Sequence, residues 1–192
     1  DLLDGIEAVH IRLYESTGSD EPVSQWSSDG AFDEAVSRPR VYRNGRFSFG
    51  KRFGEREVFR FPSPVGPVGV VLAAQDEVVT LPRIVGMQEM DVKIGGNDFE
   101  RLRRWYRQGK LRKAHGPGTN RFPQTPTPRQ MAGLVARGAL YHARFAAAVV
   151  ARGRKSERHA VIRWDASFPT LRQTRRREVY TSPVAWATAH MA

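Results

Sequence analysis

The chain has 192 residues, 40% of them hydrophobic and 27% charged, with no cysteine and a net charge of +11. That length and balance suit one domain with a buried core, and exclude a disordered, collagen-like or coiled-coil chain. The absence of cysteine excludes a disulfide scaffold, a thiolate zinc site and a cysteine nucleophile, and fits a cytoplasmic protein.

Glu7-Ala8-Val9-His10-Ile11-Arg12-Leu13-Tyr14 alternates apolar with polar residues and predicts a half-buried strand, followed by a polar loop over 17–22. Ser27 or Ser28 can cap a short helix from Asp29 to Val36, which Pro39 stops. Asn44-Gly45, flanked by alternating residues from Val41 to Phe47, predicts a hairpin on a type I′ turn. Strands are expected over Arg56 to Phe61, Val68 to Ala73 and Met87 to Ile94, with a turn at Pro64-Val65-Gly66-Pro67. Asn97 and Glu100 have capping-box spacing ahead of a helix that Gly109 ends, with Phe99, Leu102 and Tyr106 on one face. Residues 112–128, rich in Gly and Pro, read as a long irregular segment, and Arg129 to Val135 as a helix. Tyr141 to Arg152 and His159 to Trp164 are read as two strands of a hairpin, and Ser182-Pro183 as the start of a last helix. The fold class expected from this order is α+β, a mixed and largely antiparallel sheet covered by helices on one face.

No G-x-G-x-x-G turn follows a strand and there is no Walker A loop. His10, His115, His142, His159 and His190 have no i, i+4 partner, so neither a metal site nor a catalytic residue is assigned. The longest apolar run, Phe145 to Ala151, is far too short to cross a bilayer.

Two local clusters stand out. In Gln25-Trp26-Ser27-Ser28-Asp29-Gly30, Trp26 could wall a pocket beside helix N-terminal amides; the plainer reading is a core Trp with an ordinary cap. In the stretch from Ala74 to Arg83, polar groups follow directly on a buried strand, where ligands often sit. Arg83 could fork onto a carboxylate there; the plainer reading is a surface loop with an ion pair worth under about 1 kcal/mol.

Taken in order, Trp26-Ser27-x-x-Gly30, Val41-Tyr42-Arg43-Asn44-Gly45, Phe61-Pro62-x-x-x-Gly66 and Asp76-Glu77-Val78-x-Thr80-Leu81-Pro82-Arg83 resemble the C-terminal domain of saccharopine dehydrogenase-like oxidoreductases. The likeness runs from about residue 8 to 95 and continues weakly through 141–166. It implies that residues 1–192 form a single substrate-binding and dimerisation domain, a fragment lacking its N-terminal Rossmann domain. NAD or NADP would be bound by the full-length protein and not by this piece, which alone would be inactive. The substrate would be an amino acid or polyamine-like compound altered at a C–N bond, and the protein a cytoplasmic homodimer. By the same likeness, Trp26 and Ser27 line the substrate cleft. Gln75 lies near the place where saccharopine reductase uses an Arg, a departure that counts against saccharopine as the substrate. Arg83, Ser27 and Thr80 suit a substrate carboxylate, and Glu77 or Asp76 an ammonium.

Charge is unevenly divided along the chain. Residues 1–100 carry 11 basic and 17 acidic side chains, whereas 101–192 carry 20 and 3. Internal complementarity accounts for part of this asymmetry, and surplus arginines such as Arg175 and Arg176 could face a nucleotide domain. The alternative is an Arg-rich, non-enzymatic module binding nucleic acid or a partner, although no helix-turn-helix or RNP pattern supports it.

Overall fold

A computed structural model describes residues 2–21, 23, 28–111, 126–167 and 171. Trp26, Ser27, the Arg175–Arg177 run and the helix expected at Ser182-Pro183 lie outside them. The fold is α+β, with a mixed, mostly antiparallel sheet and four helices among the described residues. The strands are β1 (Gly5–Ser19), β2 (Arg40–Arg43), β3 (Arg46–Phe49), β4 (Glu57–Arg60), β5 (Pro67–Leu72), β6 (Glu89–Gly95), β7 (Leu140–Lys155) and β8 (Arg158–Ser167). The helices are α1 (Ser28–Val36), α2 (Glu77–Val85), α3 (Asn97–Arg107) and α4 (Pro128–Ala136). Contacts divide the chain into two compact units, and β1 and β7 each contribute to both.

The first unit takes in Asp1–Tyr14, Ser37–Gly95 and Ala146–Ala166. Its strands run in the order β3-β2-β6-β1-β7-β8, with β5 also on β6 and β4 on β5. Strand β6 is the hub. It pairs in parallel with β1 from Ala8↔Glu89 to Tyr14↔Gly95, and its other edge meets first β2 at Met90 and then β5 from Lys93 to Gly95. Asn44 and Gly45, at φ 51° and 72°, turn β2 into β3 as the sequence requires, and Tyr42 packs on Phe47 across that hairpin. Ser156 and Glu157 also have positive φ, and they join β7 to β8.

One face of this sheet carries Val9, Met90 and Val92, which cluster with Val78 of α2 and with Met87. Each such fully buried side chain contributes about 1.5–3 kcal/mol. The opposite face has its own apolar cluster, Phe61, Val70, Ala146 and Ala148, with Tyr14 and Phe59 packed on it.

The second unit holds Glu15–Val36, Gly96–Phe145 and Ser167–Ala192. Helices α1 and α3 pack together, with Phe32 and Ala35 buried on one and Phe99 and Leu102 on the other. Val23, Leu134, Ala139 and Leu140 form a further cluster. Pro128 opens α4, and Thr127 and Gln130 close a capping box at its start.

Two local expectations are corrected here. Residues 17–19 are not loop but the end of β1, because the chain there is paired: Asp20 N–H and Ser19 Oγ both donate to Ala139 O. Nor does Asn97 cap α3. The cap position is Gly96, and the Asn97 amide instead accepts from Thr17 N–H and donates to Thr17 O, both at 2.9 Å, imitating a neighbouring strand. Gly96 has φ 108°, and a Cβ there would lie 1.9 Å from Glu15 O, so only glycine fits.

Candidate functional site

The segment expected as a polar loop after β5 is mostly helix. Strand β5 ends in buried Leu72, the chain passes buried Ala73 and half-buried Gln75, and α2 begins at Glu77. Val78 and Pro82, four residues apart, turn inward and are buried, so apolar spacing anchors the helix despite its proline. Gly86, at φ 73°, stops it by donating its N–H to Pro82 O.

That anchoring leaves Glu77, Thr80 and Arg83, spaced by three, exposed along one ridge with Ile84. Glu77 sits in the first turn, where the helix dipole favours a carboxylate. The Thr80 hydroxyl donates back to Asp76 O and Glu77 O at 3.3 and 3.4 Å. Arg83 makes no ion pair with a described carboxylate; its guanidinium stacks 5.7 Å from the Phe47 ring centre. Of the residues singled out in the sequence, Glu77, Thr80 and Arg83 are thus brought onto one surface, with Gln75 at its approach. Trp26 and Ser27 fall outside the described residues.

A second constellation in the same unit escaped sequence reasoning. The parallel register sets His10 beside Asp91 and Arg12 beside Lys93, all four on one face. The His10 ring meets Asp91 Oδ1 through Nδ1 at 2.9 Å, and Arg12 Nη1 donates to the same oxygen at 2.6 Å. Glu57 of β4 completes the group: Oε1 accepts from Arg12 Nε at 2.5 Å and Oε2 from Lys93 Nζ at 2.7 Å. The side chains of Arg12, Lys93 and Asp91 are 6%, 7% and 9% exposed, whereas that of Glu57 is 37% exposed.

Burial alone would raise the Asp91 pKa. The His10 hydrogen bond and the Arg12 guanidinium outweigh it and hold the carboxyl far below the usual carboxylate range. Glu57 follows the same logic: burial opposes, the bonds from Lys93 and Arg12 prevail, and its pKa is lowered. Beside them Arg43 pairs with Glu55, which raises the arginine pKa.

No protein-family model and no curated protein matches the chain. Among the described residues no three His, Cys, Asp or Glu side chains gather as metal ligands, and no helix is long and apolar enough to cross a membrane. In the second unit Thr17 Oγ1 donates to Asp98 Oδ2 at 2.6 Å, Arg101 donates to Asp98 Oδ1 at 2.7 Å, and His142 Nε2 meets Ser16 Oγ at 3.1 Å. Burial and Arg144 lower the His142 pKa against the pull of Asp98. The Thr17 bond ties the end of β1 to α3, the Arg101 bond lies within α3, and the His142 contact joins β7 to β1.

Proposed function

We propose that this chain is the substrate-binding and dimerisation domain of an NAD(P)-dependent oxidoreductase of the saccharopine dehydrogenase-like kind, acting on a C–N bond of an amino acid or polyamine-like substrate. The observation that carries the reading is the α2 ridge. The motif Asp76-Glu77-Val78-x-Thr80-Leu81-Pro82-Arg83 forms a helix that keeps Glu77, Thr80 and Arg83 in solvent immediately after a buried strand. Glu77 suits a substrate ammonium, while Arg83 and Thr80 suit a carboxylate, the guanidinium being stacked on Phe47 and making no ion pair with a described carboxylate. Gln75 contributes a neutral amide in place of a charge. Trp26 and Ser27, assigned to the substrate by resemblance alone, lie outside the described residues.

In this reading NAD or NADP supplies the hydride chemistry from a separate nucleotide-binding domain, and residues 1–192 supply grip and orientation. The protein works in the cytoplasm as a homodimer. The exposed β3 strand, with Phe47 and Phe49 at 41% and 55%, and Ile84 at 78% offer apolar surface for association.

The test is steady-state kinetics of the full-length enzyme carrying Arg83→Gln. A charged hydrogen bond is worth about 1.5–3 kcal/mol, so KM for a carboxylate-bearing substrate rises roughly 10- to 100-fold with kcat changed less. An unchanged KM, or NAD(P)H oxidation by residues 1–192 alone, refutes the reading. Sub-micromolar, steeply salt-dependent binding to random duplex would favour a nucleic-acid module instead.

A further inference from the structure

The buried charge group of His10, Arg12, Asp91, Lys93 and Glu57 has an asymmetry that an ordinary ion pair lacks. Arg12 and Lys93 are fixed on adjacent strands of the sheet and are almost wholly buried, while the carboxylate that bridges them arrives from the solvent side on β4. Each Glu57 oxygen takes one donor, at 2.5 Å from Arg12 and 2.7 Å from Lys93, which is how a receptor holds a free carboxylate. Asp91 neutralises only one of the two cations and is already bonded to His10 and Arg12. Without Glu57 the pair would keep one uncompensated buried positive charge, a strong demand for a single anion of carboxylate shape.

We propose that Arg12 and Lys93 form a binding site for small carboxylates, and that Glu57 is its resident occupant, which a free carboxylate can replace. The site is separate from the α2 ridge, and the proposal stands without the oxidoreductase reading. Selectivity follows from geometry: a planar anion with two oxygens satisfies both donors at once, whereas chloride offers one centre and a neutral amide offers no charge. Because the Glu57 carboxylate is tethered, it competes at a high effective concentration, so free carboxylate exchanges with it only weakly in the native chain. Vacating the site exposes its full affinity.

The experiment uses sodium acetate as the probe, with sodium chloride at matched ionic strength and acetamide as controls. In Glu57→Ala, acetate is expected to raise the thermal midpoint saturably, by about twofold or more over any gain in chloride, and acetamide to do nothing. If Glu57→Ala does not fold in chloride, recovery of folding by acetate alone is the same expected result. Adding Arg12→Met removes one donor and abolishes the acetate effect. In the native chain, the Arg12 Nε–H resonance moves with acetate and not with chloride. Equal responses to acetate and chloride in Glu57→Ala, no recovery of an unfolded variant by acetate, or an Arg12 resonance indifferent to acetate would each overturn the proposal.

Discussion

Replacing Asp91 by Asn tests the electrostatic account of the buried group most directly. The amide keeps the shape of the carboxyl and one acceptor oxygen, but removes the charge facing Arg12 at 2.6 Å and His10 at 2.9 Å. Breaking a buried pair by removing one partner costs about 3–5 kcal/mol, and the retained acceptor places this change near 3 kcal/mol. At 2–4 °C per kcal/mol for a chain of this size, the midpoint should fall by roughly 6–12 °C at pH 7. The pH dependence separates charge from packing. The folded pKa of Asp91 is depressed below its ordinary 3.8, so its stabilisation is complete above that value and drains away as pH falls toward the folded value. Thermal or urea melts of native and Asp91→Asn protein at pH 7 and pH 3 should therefore show a gap that narrows in acid. A gap of equal size at both pH values would mean that the loss does not come from the titrating charge of Asp91 and would refute the argument.

Three further outcomes follow from local geometry, each read by chemical denaturation. Gly96→Ala forces a Cβ to within 1.9 Å of Glu15 O at a positive φ, and should cost on the order of 3 kcal/mol. Unchanged stability would mean that this backbone contact is not formed. Asn97→Ala loses both bonds to the Thr17 backbone and should cost about 1–3 kcal/mol, whereas a true N-cap loss would be matched by its relief in Asn97→Ser, which here should not rescue. Thr127→Ala removes the α4 capping box and should cost about 1 kcal/mol, with Thr127→Ser restoring most of it.

What was legible in the sequence was local. The Asn44-Gly45 turn, the 140–167 hairpin and the α3 face of Phe99, Leu102 and Tyr106 each depend on residues within a few positions of one another, and each formed where expected. The α2 motif was legible as a cluster of polar groups but not as a helix, because its proline and β-branched residues argue against helix until Val78 and Pro82 find the core. Asn97 was misread for the converse reason. Its spacing to Glu100 satisfied a local rule, but Thr17, eighty residues away, offered its amide both a donor and an acceptor.

The buried charge group shows where alternation stops informing. Polar His10 and Arg12 in β1, and Asp91 and Lys93 in β6, alternate with apolar neighbours, and each set does share one face. Alternation identifies which residues point together; it says nothing of whether that face is covered. The cover here is β4, whose Glu57 lies 45 residues from Arg12 and 36 from Lys93. The usable signal was complementarity: one strand offered two basic-type side chains at i, i+2 and another an acid and a base at the same interval, so that a parallel register would interleave them. The same logic bears on the wider charge asymmetry. Glu7 pairs with Arg154, Asp4 with Lys155 and Glu21 with Arg137, so cations of the basic half do neutralise acids of the first. Those pairs are about half exposed and individually worth little. Arg12 and Lys93, by contrast, come from the acidic half and are neutralised within it, so the net charge of a segment says little about which of its charges are spent. The fate of a charge is decided by which strand lies over it.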